Sequence, residues 1–531
     1  MLENLVILSA LGILLVCSFF FFKHKREIFR YKPVDAFVED MKASGLKRVL
    51  GKWGLTSIGV GAIIGAGIFV MTGVGAKEHA GPALALSFVI AGMGCTFAAL
   101  CYAEFASFLP VEGSAYAYSY ATMGEFFAWI IGWDLILEYA MASAAVSVGW
   151  SGYLAKFLYL FNIKFPLWLM NDSFTATKSL ADAATNPAVK ADLLSHYSSL
   201  DLPTLLGNQI AFNLPAFIIV WVVTLILVKG IKEAASTNTV MVTIKVIVVL
   251  FIIISGATYI NVENWTPFIP ERTTLVGPLG SHPAYGFLGI ISGAAYIFFA
   301  YIGFDTVSTQ AGESKNPKKD VPFGIITSLI VCTVLYILVS LVLTGMVNYK
   351  DLNLQAPIAA AFAQVGLNFA VFIISAAAVA GLTSVLIVML LGQSRVFYAM
   401  AKDGLLPKNP FGLLHEKFKT PYKASLLTGT LVSIVAALTP INVIAELVNI
   451  GTLLAFVMVC SAVWLMRYKE PDRERPFRAP VIWLIAPLGI LFNFGMMLSL
   501  GHHNWERLLL WLAIGIMIYF IYSRKHSLLK K

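Results

Sequence analysis

Residues 55–73 read LTSIGVGAIIGAGIFVMTG, and residues 294–313 read AAYIFFAYIGFDTVSTQAGE. Both stretches are apolar enough to lie in a bilayer, and both are flawed as helices. Glycines 59, 61, 65 and 67 crowd the first, and in the second Gly303 is followed at once by Phe304 and the acid Asp305. A glycine in a helix interior costs about 1 kcal/mol relative to alanine. Gly61 and Gly65 also make a GxxxG, which by itself asks only for close helix packing. A turn that unwinds exposes backbone amides and carbonyls, and hydrocarbon offers them no partner. They must then line a cavity. The half-helix resumed after the first break points its partly positive N-terminus at that cavity, where a carboxylate suits it. The half-helix before the second break ends in free carbonyls, which suit an ammonium.

Around these stretches the chain is built for a membrane. It has 531 residues, 58% of them hydrophobic and 13% charged, with mean hydropathy +0.79. Soluble domains carry roughly 25% charged residues. Apolar runs fall at 4–22, 54–76, 82–108, 126–161, 213–230, 236–260, 286–311, 323–347, 369–401, 424–438, 443–466, 481–500 and 507–523. A span uses about 20 residues, so the reading is an all-α polytopic membrane protein with one extra N-terminal transmembrane helix and twelve core spans. The run 126–161 is too long for an upright helix and must tilt or project into solvent. A soluble enzyme, a disordered protein and a disulfide scaffold are excluded. Cys17, Cys95, Cys101, Cys332 and Cys460 all lie in apolar runs without a CxxC pattern, so free thiols and no metal site are expected.

The net charge of +9 is a topology signal. With 23–53 in the cytoplasm and sides alternating, 29 of the 38 Lys and Arg fall on inner segments and eight on outer ones, with Lys245 inside a span. Cytoplasmic loops retain such residues, so a nucleic-acid partner is not expected. The C-terminal tail SRKHSLLKK is placed in the cytoplasm and the N-terminus outside. Residues 4–22 lack the basic start and cleavage site of a secretory signal and read as an uncleaved anchor. An upstream extension of the gene start is the alternative, since beginning at Met41 preserves every core span. The outer connection 162–212 reads as a solvated cap, with short surface helices in ATKSLADAATNPAVKADLLSHY.

The two broken spans are the first and sixth core spans. A five-helix repeat predicts that spacing, and its odd length inverts the second copy. Paired breaks in inverted repeats mark secondary transporters that bind substrate at the midplane. The expected division is 1–24 extra span, 25–53 linker, 54–262 first repeat, 284–468 inverted second repeat, 480–524 spans 11 and 12, and 525–531 tail. Amide donors facing carbonyl acceptors suit a zwitterionic α-amino acid. No HExxH or GxSxG occurs, so an enzyme is not expected. A channel would need a continuous polar pore. A receptor that binds without transport would usually bring a larger soluble segment.

The motifs GVGAIIGAGIFVMTG (59–73), AGPALALSFVIAG (80–92), FAALCYAEFASFLPVEGSAYAYSYATMGE (97–125), FFAYIGFDTVSTQAGESKNPKKDVPFGI (298–325), GQSRVFYAMAKDGLLP (392–407), NIGTLLAFVMV (449–459) and RPFRAP (475–480) carry a resemblance. In this order they resemble the amino acid–polyamine–organocation superfamily, in its cationic amino acid transporter branch and bacterial type. The match covers roughly 45–525; the N-terminal span and the loop 162–212 fall outside the usual pattern. The resemblance implies the leucine-transporter-like 5+5 inverted-repeat fold in a bacterial cytoplasmic membrane. It implies that the substrate carboxylate meets backbone amides at Ile63, Ile64, Gly65, Ala66 and Gly67, where the family often has Thr at the position of Ala66. It implies that the ammonium meets carbonyls of Phe299, Ala300 and Ile302.

Polar residues inside the spans supply the remaining candidates. Lys245 is costly at a helix centre, by about 2.5–3.5 kcal/mol on insertion scales. It either snorkels toward the cytoplasmic face or, as the resemblance implies, sits against the span 1 break in place of the sodium of coupled relatives. Proton symport with Lys245 as switch follows as the expected coupling, with amino acid exchange or polyamine exchange as the alternative. Glu138 stands four residues after Asp134 on one helix face, and the resemblance places Glu138 by the substrate. Asp305 suits either an N-cap of the resumed half-helix or a gate. Glu104 reads as a structural acid, and Glu446 as a partner for another span. Met389 is either a core methionine or, by resemblance, a substrate contact alongside Phe299 that favours alanine-sized side chains; arginine and lysine stay open. The expected partners are an amino acid, H+ and membrane lipids, with a small membrane-protein partner left unknown. No cofactor is expected beyond the proton gradient.

Overall fold

The computed structural model describes residues 29–34, 36–37, 50–109, 114–205, 207–229, 234–277, 280–311, 314–418 and 420–530. The extra N-terminal span, Cys17 and most of the linker 25–53 lie outside the described residues. Within them the chain is overwhelmingly helical, with two small hairpins, β1–β2 (Thr204–Leu205, Asn208–Gln209) and β3–β4 (Thr273–Gly277, Gly280–Ala284).

Helix α1 is Lys52–Ile63, and a resumed segment α2 occupies 67–80. Then come α3 (Leu84–Phe108), the short α4 (Ser114–Thr122) and α5 (Glu125–Tyr159). The outer connection folds as α6 (Ser173–Thr185) and α7 (Pro187–His196), with Asp172 capping α6 by accepting from Thr175 N at 3.0 Å. Helices α8 (Leu214–Lys229), α9 (Ala234–Ala257) and α10 (Gly286–Ile297) follow. After a 3₁₀ turn at Phe298–Tyr301 and the short α11 (Thr306–Thr309) come α12 (Pro317–Met346), α13 (Pro357–Gln364) and α14 (Asn368–Lys402). The chain closes with α15 (Tyr422–Leu438), α16 (Ile441–Lys469), α17 (Ile482–Ser499) and α18 (His502–Ile518).

Among the described residues, nine helices are long and apolar enough to cross a membrane, and α8 and α15 are shorter apolar helices. Helix α1 is not among the nine because it stops at twelve residues. Every apolar run from 54–76 onward contains a described helix. Burial grades these helices: 83% of the apolar window at Gly286–Thr309 is buried, against 33% at Val240–Ala257. On α9, Ile244, Ile247 and Ile254 are exposed. Exposed aliphatics on one stripe of an apolar helix are what a lipid-facing surface looks like. The segment with the second break is therefore central, and α9 is peripheral. Helix α12 packs along α3 and α1, while α5 packs along α14 and α16.

Charged residues near the helix ends staple the bundle. Glu104 takes a two-pronged hydrogen bond from Arg467, 2.7 Å on each oxygen, an ion pair from Arg475 at 3.2 Å and the Ala479 amide at 2.8 Å. A buried carboxylate with this many donors is structural, as its sequence context suggested. Glu446 accepts from Asn504 Nδ2 at 2.6 Å, which joins α16 to α18. Cys95, Cys101, Cys332 and Cys460 are buried free thiols. The connection 162–212 forms a cap with its own small core of Leu167, Ala176 and Ala211.

Candidate functional site at two broken helices

Helix α1 ends where Ile64 turns extended (φ −71°, ψ 96°), and helical geometry returns with a wide π turn at Gly67–Met71. The break is thus narrower than the expected Ile63–Gly67, centring on Ile64 and Gly65. In the second segment α10 tightens to 3₁₀ at Phe298–Tyr301, and Ile302 turns extended (φ −59°, ψ 131°). Gly303 follows at φ +121°, a conformation that L side chains rarely adopt.

These breaks meet backbone to backbone. A Cβ on Gly67 would lie 2.2 Å from Ala300 Cα, and one on Gly303 would lie 2.9 Å from the carbonyl carbon and oxygen of Ala62. Every residue of 61–70 and of 294–308 is buried. The candidate residues Ile63, Ile64, Gly65, Ala66 and Gly67 therefore do share one solvent-excluded place with Phe299, Ala300 and Ile302. Two of the expected ammonium acceptors already have a donor. Phe299 O accepts from Ile302 N at 3.3 Å, and Ala300 O lies 2.9 Å from the Tyr336 hydroxyl.

Lys245 does not snorkel. It is buried on α9, and Nζ donates to Gly61 O at 2.8 Å, two residues before α1 ends. Its stem lies along Gly381 of α14, where a Cβ would come within 3.1 Å of Cε. The snorkelling alternative fails because the stem is directed across the bundle into the space that this glycine leaves open.

Asp305 does not cap the resumed helix: it is itself in αR geometry and makes no capping bond to α11. The amides of Thr306, Val307 and Ser308 pair instead with Gly303 O, Phe304 O and Asp305 O at 2.9–3.3 Å, and the Thr306 and Ser308 hydroxyls add donations to Gly303 O at 2.5 Å and Asp305 O at 2.6 Å. Asp305 is buried within electrostatic reach of Glu138. Glu138 shares its site with Thr452 of α16, and among the described residues its Oε2 has no hydrogen-bond partner. Both oxygens of buried Asp134 also lack a partner among the described residues and press on Gly451, where a Cβ would sit 2.7 Å from Oδ1.

Met389 is buried on α14 between two fixed points. One turn before it, Val385 touches the span 1 break, with Cγ2 3.2 Å from a Cβ built on Gly65. Three residues after it, Gly392 abuts the Tyr139 ring next to Glu138. The three residues Val385, Met389 and Gly392 share a face of one helix, so Met389 lies on the helix face that runs from the first break to Tyr139.

The sequence reading missed two residues. Tyr336 of α12 places its hydroxyl 2.7 Å from Ile63 O and 2.9 Å from Ala300 O, one carbonyl from each break. Asn449 of α16 donates Nδ2 to Ala295 O at 2.9 Å and Tyr296 O at 2.7 Å, taking up the carbonyls that α10 frees as it tightens. An amide in mid-span was a signal for Asn449. Tyr336, in VLYILVS, carried none beyond a polar tip in an apolar run.

Closures flank the breaks. Toward one end, Tyr102, Phe304, Phe298 and Phe456 stack in edge and tilted contacts with centroids 5.0–5.8 Å apart. Toward the other, the His79 ring stacks on Tyr296 at 4.7 Å, and Glu78 is held by Asn442 at 2.6 Å and by Lys178 of the cap at 3.5 Å. These contacts cover the breaks, whose backbone is buried throughout.

A family model described as amino acid permease matches residues 50–522. The branched-chain amino acid permease BcaP of Bacillus subtilis (strain 168) is 45% identical over 509 residues, 96% of this chain and 100% of its own. The methylthioribose transporter of the same organism is 41% identical over 504 residues, 95% of this chain and 99% of its own. Cationic amino acid transporter 2, vacuolar, of Arabidopsis thaliana is 38% identical over 449 residues, 85% of this chain and 64% of its own. The chain belongs to the amino acid permease family of the amino acid–polyamine–organocation superfamily, and is a multi-pass membrane transporter rather than an enzyme.

Proposed function

We propose that this protein imports a neutral L-amino acid with a small to branched aliphatic side chain, by proton symport through alternating access. The observation that carries the reading is the buried meeting of the two breaks. Amides of Gly65 to Gly67 face a carboxylate, the Ile64 amide being held by Val60 O at 2.9 Å, and Ala300 and Ile302 carbonyls face an ammonium. Val385 and Met389 offer the side chain an apolar wall, in keeping with the 45% identity to a branched-chain permease. Twelve core spans, the first ten in two inverted five-helix repeats, with an N-terminus outside and a cytoplasmic tail, complete the arrangement in a bacterial cytoplasmic membrane.

In this reading Lys245 is the coupling residue. Its ammonium is buried with a neutral carbonyl as its hydrogen-bond partner, a placement that is costly unless the charge is used. Gain or loss of its proton changes the grip on Gly61 O, and Gly61 lies in the half-helix that must move. Glu138 and Asp305 are buried acids within electrostatic reach of each other, with Asp305 as the gate. Purified protein in liposomes, loaded with no amino acid and given an inward proton gradient, tests both parts. Labelled leucine, valine or alanine should accumulate, and Lys245→Ala should abolish accumulation while leaving competition by unlabelled substrate measurable. Accumulation by Lys245→Ala under the same gradient refutes the coupling role. Uptake that requires internal amino acid and ignores pH supports an exchanger, and binding without uptake supports a receptor.

A second reading rests on the 41% identity to the methylthioribose transporter. A thioether sugar has neither carboxylate nor ammonium, so hydroxyls would have to meet both breaks. Competition by methylthioribose in the same liposomes, without competition by any amino acid, selects it.

A further inference from the structure

We propose that Tyr336 is a positioning residue that holds the two breaks at the spacing a zwitterion requires and leaves them one donor short, the donor that the substrate's ammonium supplies. The inference deepens the reading above and rests on it.

Ile63 O and Ala300 O both lose their helical partners, because the chain turns extended immediately after Ile63 and shortly after Ala300. Both are buried. Among the described residues, the Tyr336 hydroxyl is the donor that they have in common, at 2.7 and 2.9 Å. A phenol has one proton, so it donates to one carbonyl at a time. An unmet buried acceptor is unfavourable, and an ammonium at Ala300 relieves the deficit and leaves the phenol proton for Ile63 O. A keto or hydroxyl oxygen in place of the ammonium brings acceptor lone pairs to an acceptor.

The ring has little freedom to move. Tyr336 is buried, with Phe88 at 5.5 Å and Tyr301 at 5.6 Å, and Tyr301 is itself pinned to Phe88 O at 2.8 Å. Its helix α12 packs along α1. The hydroxyl therefore acts as a fixed point against which both breaks are registered. A ligand that touches both breaks gains from that preorganisation, and a ligand that touches one does not.

The test is Tyr336→Phe in purified protein, with three probes: leucine, 4-methyl-2-oxopentanoate, which keeps the carboxylate, and 3-methylbutylamine, which keeps the ammonium. The substitution should weaken leucine roughly tenfold, the worth of about one hydrogen bond. The two one-ended probes should shift less than about twofold. Ratios between probes within one preparation do not depend on how much of the variant folds. A parallel loss for all three marks a general structural role and overturns the inference, as does unchanged leucine affinity. Wild-type protein that binds leucine no better than the one-ended probes overturns the zwitterion reading itself, and this inference with it.

Discussion

The two breaks solve the same problem by different means. At the first, the backbone is thinned: glycines let neighbouring chain approach, and Gly67 sits where a Cβ would be 2.2 Å from Ala300 Cα. At the second, side chains come to the backbone. Asn449 takes the carbonyls of Ala295 and Tyr296, Thr306 closes on Gly303 O, and Tyr336 reaches Ala300 O. The first break is thus mainly a donor surface opened by removing atoms, with Lys245 and Tyr336 taking its Gly61 and Ile63 carbonyls, and the second an acceptor surface trimmed by more added hydrogen bonds. An anion is best held by bare amides, and a cation by carbonyls aimed by their surroundings. The difference teaches which substitutions each break tolerates.

The largest effect should come from closing the first break. Gly67→Val puts branched carbon into the Ala300 backbone, which cannot yield as a flexible side chain could, so transport should fall to background. Stability should drop by about 3 kcal/mol, at the upper end of ordinary overpacking; thermal unfolding in detergent and uptake in liposomes check both. Gly303→Ala should cost slightly less, about 2 kcal/mol, from strain at φ +121° added to crowding on Ala62, with uptake strongly reduced. Wild-type uptake in either variant would show that the two backbones need not touch during the cycle.

Next in size, Asn449→Ala unmasks two carbonyls and should destabilise by about 1–3 kcal/mol. Affinity for leucine should fall while affinity for its 2-oxo acid holds, since the damage is confined to the acceptor side. Gly65→Ala sharpens the comparison from within the first break. Its Cβ meets a Val385 methyl at 3.2 Å rather than backbone, so uptake should stay within about threefold of wild type. The smallest change in rate should come from Met389→Ala, which opens space beside Val385 on the α14 face that touches the first break. Longer side chains should then compete, read as inhibition by methionine or lysine, with alanine uptake little altered.

Much of this was legible in the chain itself. Glycine density at 59–67 and the Gly303–Asp305 sequence located both breaks within two or three residues, because an apolar run that cannot remain helical must find polar company. The boundaries of the helices followed from hydropathy for the same reason. Asp305 was less legible. Its position before a resumed helix suggested a cap, yet the amides of Thr306, Val307 and Ser308 pair with the carbonyls of Gly303, Phe304 and Asp305 in tight turns, and the carboxyl stays buried within electrostatic reach of Glu138. The cap 162–212 was visible as surface helices, but nothing in its composition indicated that Lys178 would reach Glu78 at the end of α2.

The sequence by itself determined that this is a helical membrane protein, which segments are helical, and where they fail. Those are local properties, set by how apolar side chains and glycines behave in hydrocarbon. Tertiary structure decided which groups the failures face. Lys245 could snorkel or cross the bundle, and the open face at Gly381 sends it to Gly61 O. Tyr336 lies 273 residues from Ile63 and 36 from Ala300 in the chain, and no periodicity could have paired it with both. A hydrogen bond needs its partners within about 3 Å, and at such separations only the packing of whole helices determines which groups come that close.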